Sequence, residues 1–163
     1  MDATLVVIST VSMSGFGPVT TMLAGDGRGI GPLSIEFMET HEIRISDLVA
    51  RQFEKELIAS GIPLRVDAQS KNILRITLNI VVIGMKHGFS RDLNCRFNIT
   101  GELLDPSGKI LWAYNAIPLS PTAPGYSLTP EEMFASKEAF VAFLEAGSLP
   151  SVKKLFRNFE RAY

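Results

Sequence analysis

The sequence predicts an α+β domain: an antiparallel or mixed sheet holding a three-stranded meander, with helices packed against it. Two patterns and one total carry this. Residues 74–82 and 93–100 alternate apolar with polar, the period of strands with one buried face. Segments at about 46–60, 130–146 and 150–161 place apolar side chains at helical spacing between start and stop signals. The chain has 163 residues, 46% hydrophobic and 20% charged. That is enough for one core and cramped for two, so residues 1–163 read as a single domain.

Taken in order, Leu5 to Thr10 is short and β-branched and reads as a buried strand. A long loop at 11–34 follows, broken by Gly15, Gly17, Pro18, Gly25, Gly27, Gly29, Gly31 and Pro32. Loops of that length are often functional. Leu33 to Phe37 returns as an edge strand. The helix at 46–60 carries Ile45, Val49, Phe53 and Leu57 on one stripe. Ser46 or Asp47 can cap its start, and Asp47 and Arg51 are spaced as a favourable pair. Gly61 fits a left-handed C-cap, and Pro63 blocks continuation.

The meander spans about 73–85, 91–104 and 109–116. In its first strand Leu74, Ile76, Leu78, Ile80 and Val82 share one face, while Arg75, Thr77 and Asn79 share the other. In its second, Leu93, Cys95, Phe97 and Ile99 alternate with Asn94, Arg96 and Asn98. Lys86 to Ser90 joins the two as a hairpin. Asp105-Pro106-Ser107-Gly108 is a turn, with Pro preset for its second position and Gly tolerant of positive φ. Ile110, Trp112 and Tyr114 share a face of the third strand. Pro118, Pro121 and Pro124 mark a loop over 117–129. Thr129-Pro130-Glu131-Glu132 then starts a helix that stops near Gly147, and a last helix follows Pro150.

The composition weighs against several chemistries. Sixteen basic and seventeen acidic side chains give a net charge of −1, not the basic surplus of a nucleic-acid binder. The run Gly25-Asp26-Gly27-Arg28-Gly29-Ile30-Gly31 invites a phosphate-loop reading. A proline and an extended segment are expected after it, with no helix for some fifteen residues, and the Walker lysine is absent. A turn-rich loop is the stronger reading. His41 and His87 are the two histidines, too few and too far apart for a zinc set. Cys95, the lone cysteine, sits at an apolar position and reads as an inert buried thiol. Serines are plentiful, but none lies in a nucleophile elbow. No catalytic group, metal or cofactor is implied.

The polar side of the meander is the candidate site. Arg75, Asn79, Asn94, Arg96 and Asn98 fall on it, and arginine with asparagine is a composition suited to directional recognition. The plainer alternative is a solvated sheet face. The face lacks the aromatics that single-stranded RNA would stack on. The last helix carries four cations and one anion between Lys153 and Arg161. That suits anionic lipid heads, although a solvated helix face is the commoner cause.

No apolar run reaches the roughly 18 residues of a membrane span, and the start does not read as a signal peptide. That leaves a cytoplasmic protein, or one whose export signal has been replaced. "LVARQFEKELIASGI" (48–62), an alternating strand, a second strand and "LLDPSGKILWAY" (103–114) follow in order. Over residues 45–116 this resembles small periplasmic lipoproteins of Gram-negative envelopes, such as the auxiliary lipoproteins of lipid-transport ABC systems and the lipopolysaccharide-assembly lipoprotein. The resemblance implies a non-catalytic, lipid-tethered binding or assembly protein with a protein or lipid partner in the envelope. The lipid-bearing cysteine of such proteins would have left with the signal peptide, since Cys95 cannot serve. The rival class is a small cytoplasmic ligand-binding domain or enzyme, with a pocket shaped by loops 11–34 and 117–129 and converging Arg28, Glu39 and His41.

Overall fold

The structure is a computed structural model. It describes residues 29–61, 71–86, 90–117 and 126–162, and the backbone of 3–10 and 64–66. The hairpin tip with His87, the glycine-rich stretch with Arg28, and most of loops 11–34 and 117–129 lie outside the described residues.

Five strands form one mixed sheet in the order β2-β1-β3-β4-β5. They are β1 (Ala3–Thr10), β2 (Leu64–Val66), β3 (Ile73–Met85), β4 (Leu93–Leu104) and β5 (Ile110–Ala116). β1 runs parallel to both β2 and β3, while β3-β4-β5 is the expected antiparallel meander. The short β2 was not expected. The helices are α1 (Ile30–Thr40), α2 (Ile45–Ala59), α3 (Pro130–Met133) and α4 (Lys137–Glu160). α4 lies against β4 and β5 and also packs on α2. No helix among the described residues is long and apolar enough to cross a membrane.

Phe53 of α2 is fully buried and meets Phe156 and Phe159 of α4 at ring distances of 5.6 and 5.9 Å. Phe159 meets Trp112 of β5 edge-on at 5.1 Å. Each ring so buried contributes about 1.5–3 kcal/mol. The contact between α4 and β4 is backbone-close: the Ser151 hydroxyl donates to the Phe97 carbonyl at 2.5 Å.

Several local expectations hold. Gly61 follows α2 at φ 68°, and Gly108 closes its turn at φ 83°. Thr129 and Glu132 form a reciprocal capping box, with Pro130 at the first helical position. The Asp105 carboxylate accepts from the Ser107 amide and hydroxyl and from the Lys109 amide. Hydrogen bonding to the Ser107 hydroxyl, foremost, holds that carboxyl below its usual range.

Other expectations are corrected. Leu33 to Phe37 is not an edge strand but the middle of α1, and the loop expected to run to residue 34 ends by Gly29. Ile30, Ser34 and Met38 are buried at four-residue spacing. Pro32 sits in the first turn, where its missing N–H has no helical partner to lose. The helix thus begins inside the glycine run rather than some fifteen residues after it. The helices expected at 130–146 and 150–161 are instead the single turn of α3 and one continuous α4, capped by Ser136, with Pro150 inside it. Burial of Gly147, Ser148, Ser151 and Val152 outweighs the hydrogen bond that Pro150 forfeits. At the start of α2 neither Ser46 nor Asp47 caps. Arg44 is the N-cap with no side-chain bond, and Arg51 Nε donates to the Asp47 backbone carbonyl.

β3 also departs from simple alternation. Leu78 pairs with Ile99 and Ile80 with Asn98, which leaves Asn79 as an extra residue. This β-bulge switches the strand's facing. Leu74, Ile76 and Leu78 are buried before it, Val81 and Ile83 after it, and Ile80 is exposed instead of buried.

Candidate functional site

Register fixes what the sheet face opposite α4 looks like. Across β3, β4 and β5, Thr77, Thr100 and Asn115 form one row. Arg75, Glu102 and Ala113 form the next. Beyond the bulge, Ile80 pairs with Asn98, Val82 with Arg96 and Gly84 with Asn94.

The five predicted side chains therefore share one sheet, but they do not act as one free patch. Arg75 reaches Glu102 at 3.5 Å. Asn79 Nδ2 donates to Asn98 Oδ1 at 3.1 Å and to Thr100 Oγ1 at 2.8 Å. These bonds brace the bulge, so Asn79 and Asn98 serve the sheet's own geometry. Arg96 is half-buried. Asn94 is buried at 3% exposure, and its Nδ2 has no hydrogen-bond partner among the described residues. Such a buried donor costs about 1–3 kcal/mol.

Two features lie outside those five residues. The first is the outer edge of β5. Among the described residues β5 pairs with β4 only, and Ile110, Leu111 and Ile117 are about half exposed. Leu103 pairs with Trp112 and Leu104 with Ile110, so Leu111 is itself a bulge residue. The absence of any charge from Ile110 to Ala116 was the available signal. Beside this edge, the Trp112 indole donates to Asn158 Oδ1 at 3.0 Å, and the Lys154 ammonium donates to the Ile117 carbonyl at 2.9 Å.

The second is a cleft of about 1240 Å³ between α1, α2 and the start of α4. Met38, Ile43, Ile45 and Val141 line it, with the cations Arg44, Arg51 and Lys137 and the acids Glu39, Glu42 and Asp47. The turn that shapes it closes α1: the Glu42 amide donates to the Glu39 carbonyl and the Ile43 amide to the Met38 carbonyl, with Glu42 at φ 52°. This is a Schellman cap with glutamate in the left-handed position. His41 does not join Glu39 in this cleft. Its ring packs on Phe37 at 4.2 Å.

Cys95 is fully buried, and burial pushes its thiol well above the usual range. No cluster of His, Cys, Asp and Glu among the described residues could hold a metal ion.

No protein-family model and no curated protein sequence matches the chain. Its fold is similar to that of XCC0632 from Xanthomonas campestris, a protein of family DUF330. The two share 12% identity with a TM-score of 0.51, over 94% of this chain and 80% of the other.

Proposed function

We propose that this chain is a non-catalytic binding or assembly module of a bacterial cell envelope. It contacts a protein or lipid component there, and is tethered to the membrane through a lipid-bearing cysteine preceding residue 1. The observation that carries the binding role is the β5 edge. A strand whose outer edge has no partner among the described residues, with exposed Ile110, Leu111 and Ile117, is a surface that a monomer leaves open at a cost. The envelope setting is supported by the resemblance over residues 45–116.

Native mass spectrometry of the protein isolated from its own cells tests this. A diacylated N-terminal cysteine with a co-purifying envelope protein or lipid is the expected result. An unprocessed N-terminus with a bound metabolite overturns it.

The cleft beside α2 favours a second reading, a small-ligand-binding domain. Its lining mixes apolar side chains with charged groups of both signs, and polar groups in such sites orient a ligand. A metabolite released on denaturation, and lost in an Ile43→Trp variant, would carry that reading instead.

A further inference from the structure

We infer that the β5 edge takes up an extended segment of a partner protein whose side chains alternate acidic with apolar. This deepens the binding reading above and rests on it. An edge strand offers a row of backbone donors and acceptors, and the group that satisfies such a row is another strand. The added strand's side chains alternate between the two faces of the sheet. What each face presents beside β5 therefore specifies the segment.

On the helix side, Lys154, Arg157, Asn158 and Arg161 are spaced i, i+3, i+4 and i+7 and form one strip of α4. The bonds from Lys154 to Ile117 and from Trp112 to Asn158 lay that strip along β5. It holds three cations and no anion. Glu160 falls roughly 120° around the helix from Lys154. Lys109, exposed, adds a fourth cation where the strand begins. On the opposite face, Ala113, Asn115 and Ile117 lie beside the edge by alternation. Ile110 and Leu111 flank the bulge. Side chains of the incoming strand that point toward α4 meet cations, and those that point away meet an uncharged, mostly apolar row in which Asn115 is the one polar side chain.

The same strip argues against a second copy of this chain as the occupant. Two-fold pairing of β5 with β5 would bring the cations of one α4 toward those of the other, and like charges so placed repel.

Trp112, the only tryptophan, lies on β5 and reports on this edge. The test titrates the protein with a short end-blocked peptide alternating glutamate with valine. It reads Trp112 emission and the amide shifts of Ile110–Ala116. The expected result is saturable binding, at least about tenfold weaker for a lysine–valine peptide, as charge complementarity requires. An Arg157→Glu/Arg161→Glu variant, checked for folding by circular dichroism, loses a similar factor. A peptide N-methylated at alternate residues, unable to donate to the edge, does not bind. Equal binding of the N-methylated peptide overturns the inference, as does no saturable binding or shifts centred on the cleft. Should the peptide fail while an envelope component still co-purifies with the native protein, this inference falls and the wider reading stands.

Discussion

Gly147 of α4 lies so close to β4 that a Cβ built on it would sit 2.6 Å from the Cys95 Cβ and 2.8 Å from the Cys95 carbonyl oxygen. Gly147 looks like a helix stop in the sequence, yet it marks a close approach of helix and sheet. Ala would gain about 1 kcal/mol in helix propensity over Gly. Here the backbone of β4 must move to admit the methyl, and overpacking of that kind costs about 1–3 kcal/mol. Gly147→Ala is expected to lower the urea midpoint despite its better propensity.

A second contact on α4 can be tested by deletion. The Ser148 hydroxyl donates to Gln52 Oε1 at 2.6 Å, and Gln52 Nε2 donates to the Glu145 carbonyl at 2.9 Å. Both residues are buried. Ser148→Ala removes the donor and leaves the amide oxygen unpaired, with an expected loss of about 1–3 kcal/mol. Gln52→Leu combined with Ser148→Ala removes both partners and should lose less than the two single changes summed, in a double-mutant cycle.

Glu42 occupies a position that glycine fills at less cost. A side chain at φ 52° carries a steric penalty of about 1–2 kcal/mol. Part of the relief is offset by the greater freedom of glycine in the unfolded chain. Glu42→Gly is expected to raise the melting temperature, and a fall would show that the carboxylate contributes to stability.

The turn at Asp105 should be acid-sensitive, with a definite sign. Its folded carboxyl titrates lower than the unfolded value, foremost because the Ser107 hydroxyl donates to the carboxylate. The turn's contribution is therefore complete above about pH 3.9, the unfolded value. It is lost as pH falls through the lower folded value. The Ser107 amide shift, followed by NMR titration, should move in that lower window, and Asp105→Ala should abolish the transition.

What the sequence disclosed followed from how local each signal is. The capping box at Thr129 and the turn at Asp105 are satisfied within a few residues, so their patterns were sufficient. The α1 helix was hidden because Gly29, Gly31 and Pro32 read as breakers, although all three sit at its first turn, where they do little harm. Pro150 misled in the same way, since the burial of Gly147, Ser148, Ser151 and Val152 around it comes from tertiary packing. The five polar residues of the candidate site were placed on the right sheet. Their partners were not legible, because Glu102 reaches Arg75 only through the register of β3 on β4.

The bulge at Asn79 makes β3 one residue longer than its partner requires. Removing Asn79 would leave Leu78 opposite Ile99 and Ile80 opposite Asn98, now as consecutive pairs of a regular ladder. Every core side chain on either side would keep its place. The centre of a buried sheet is ordinarily the last place to accept a frameshift in pairing, yet here a one-residue deletion is absorbed. Length variation among homologues at this point would therefore be neutral to the core. It would act on the bonds that Asn79 makes, those to Asn98 and Thr100 among them, and on the local twist of the face that carries them.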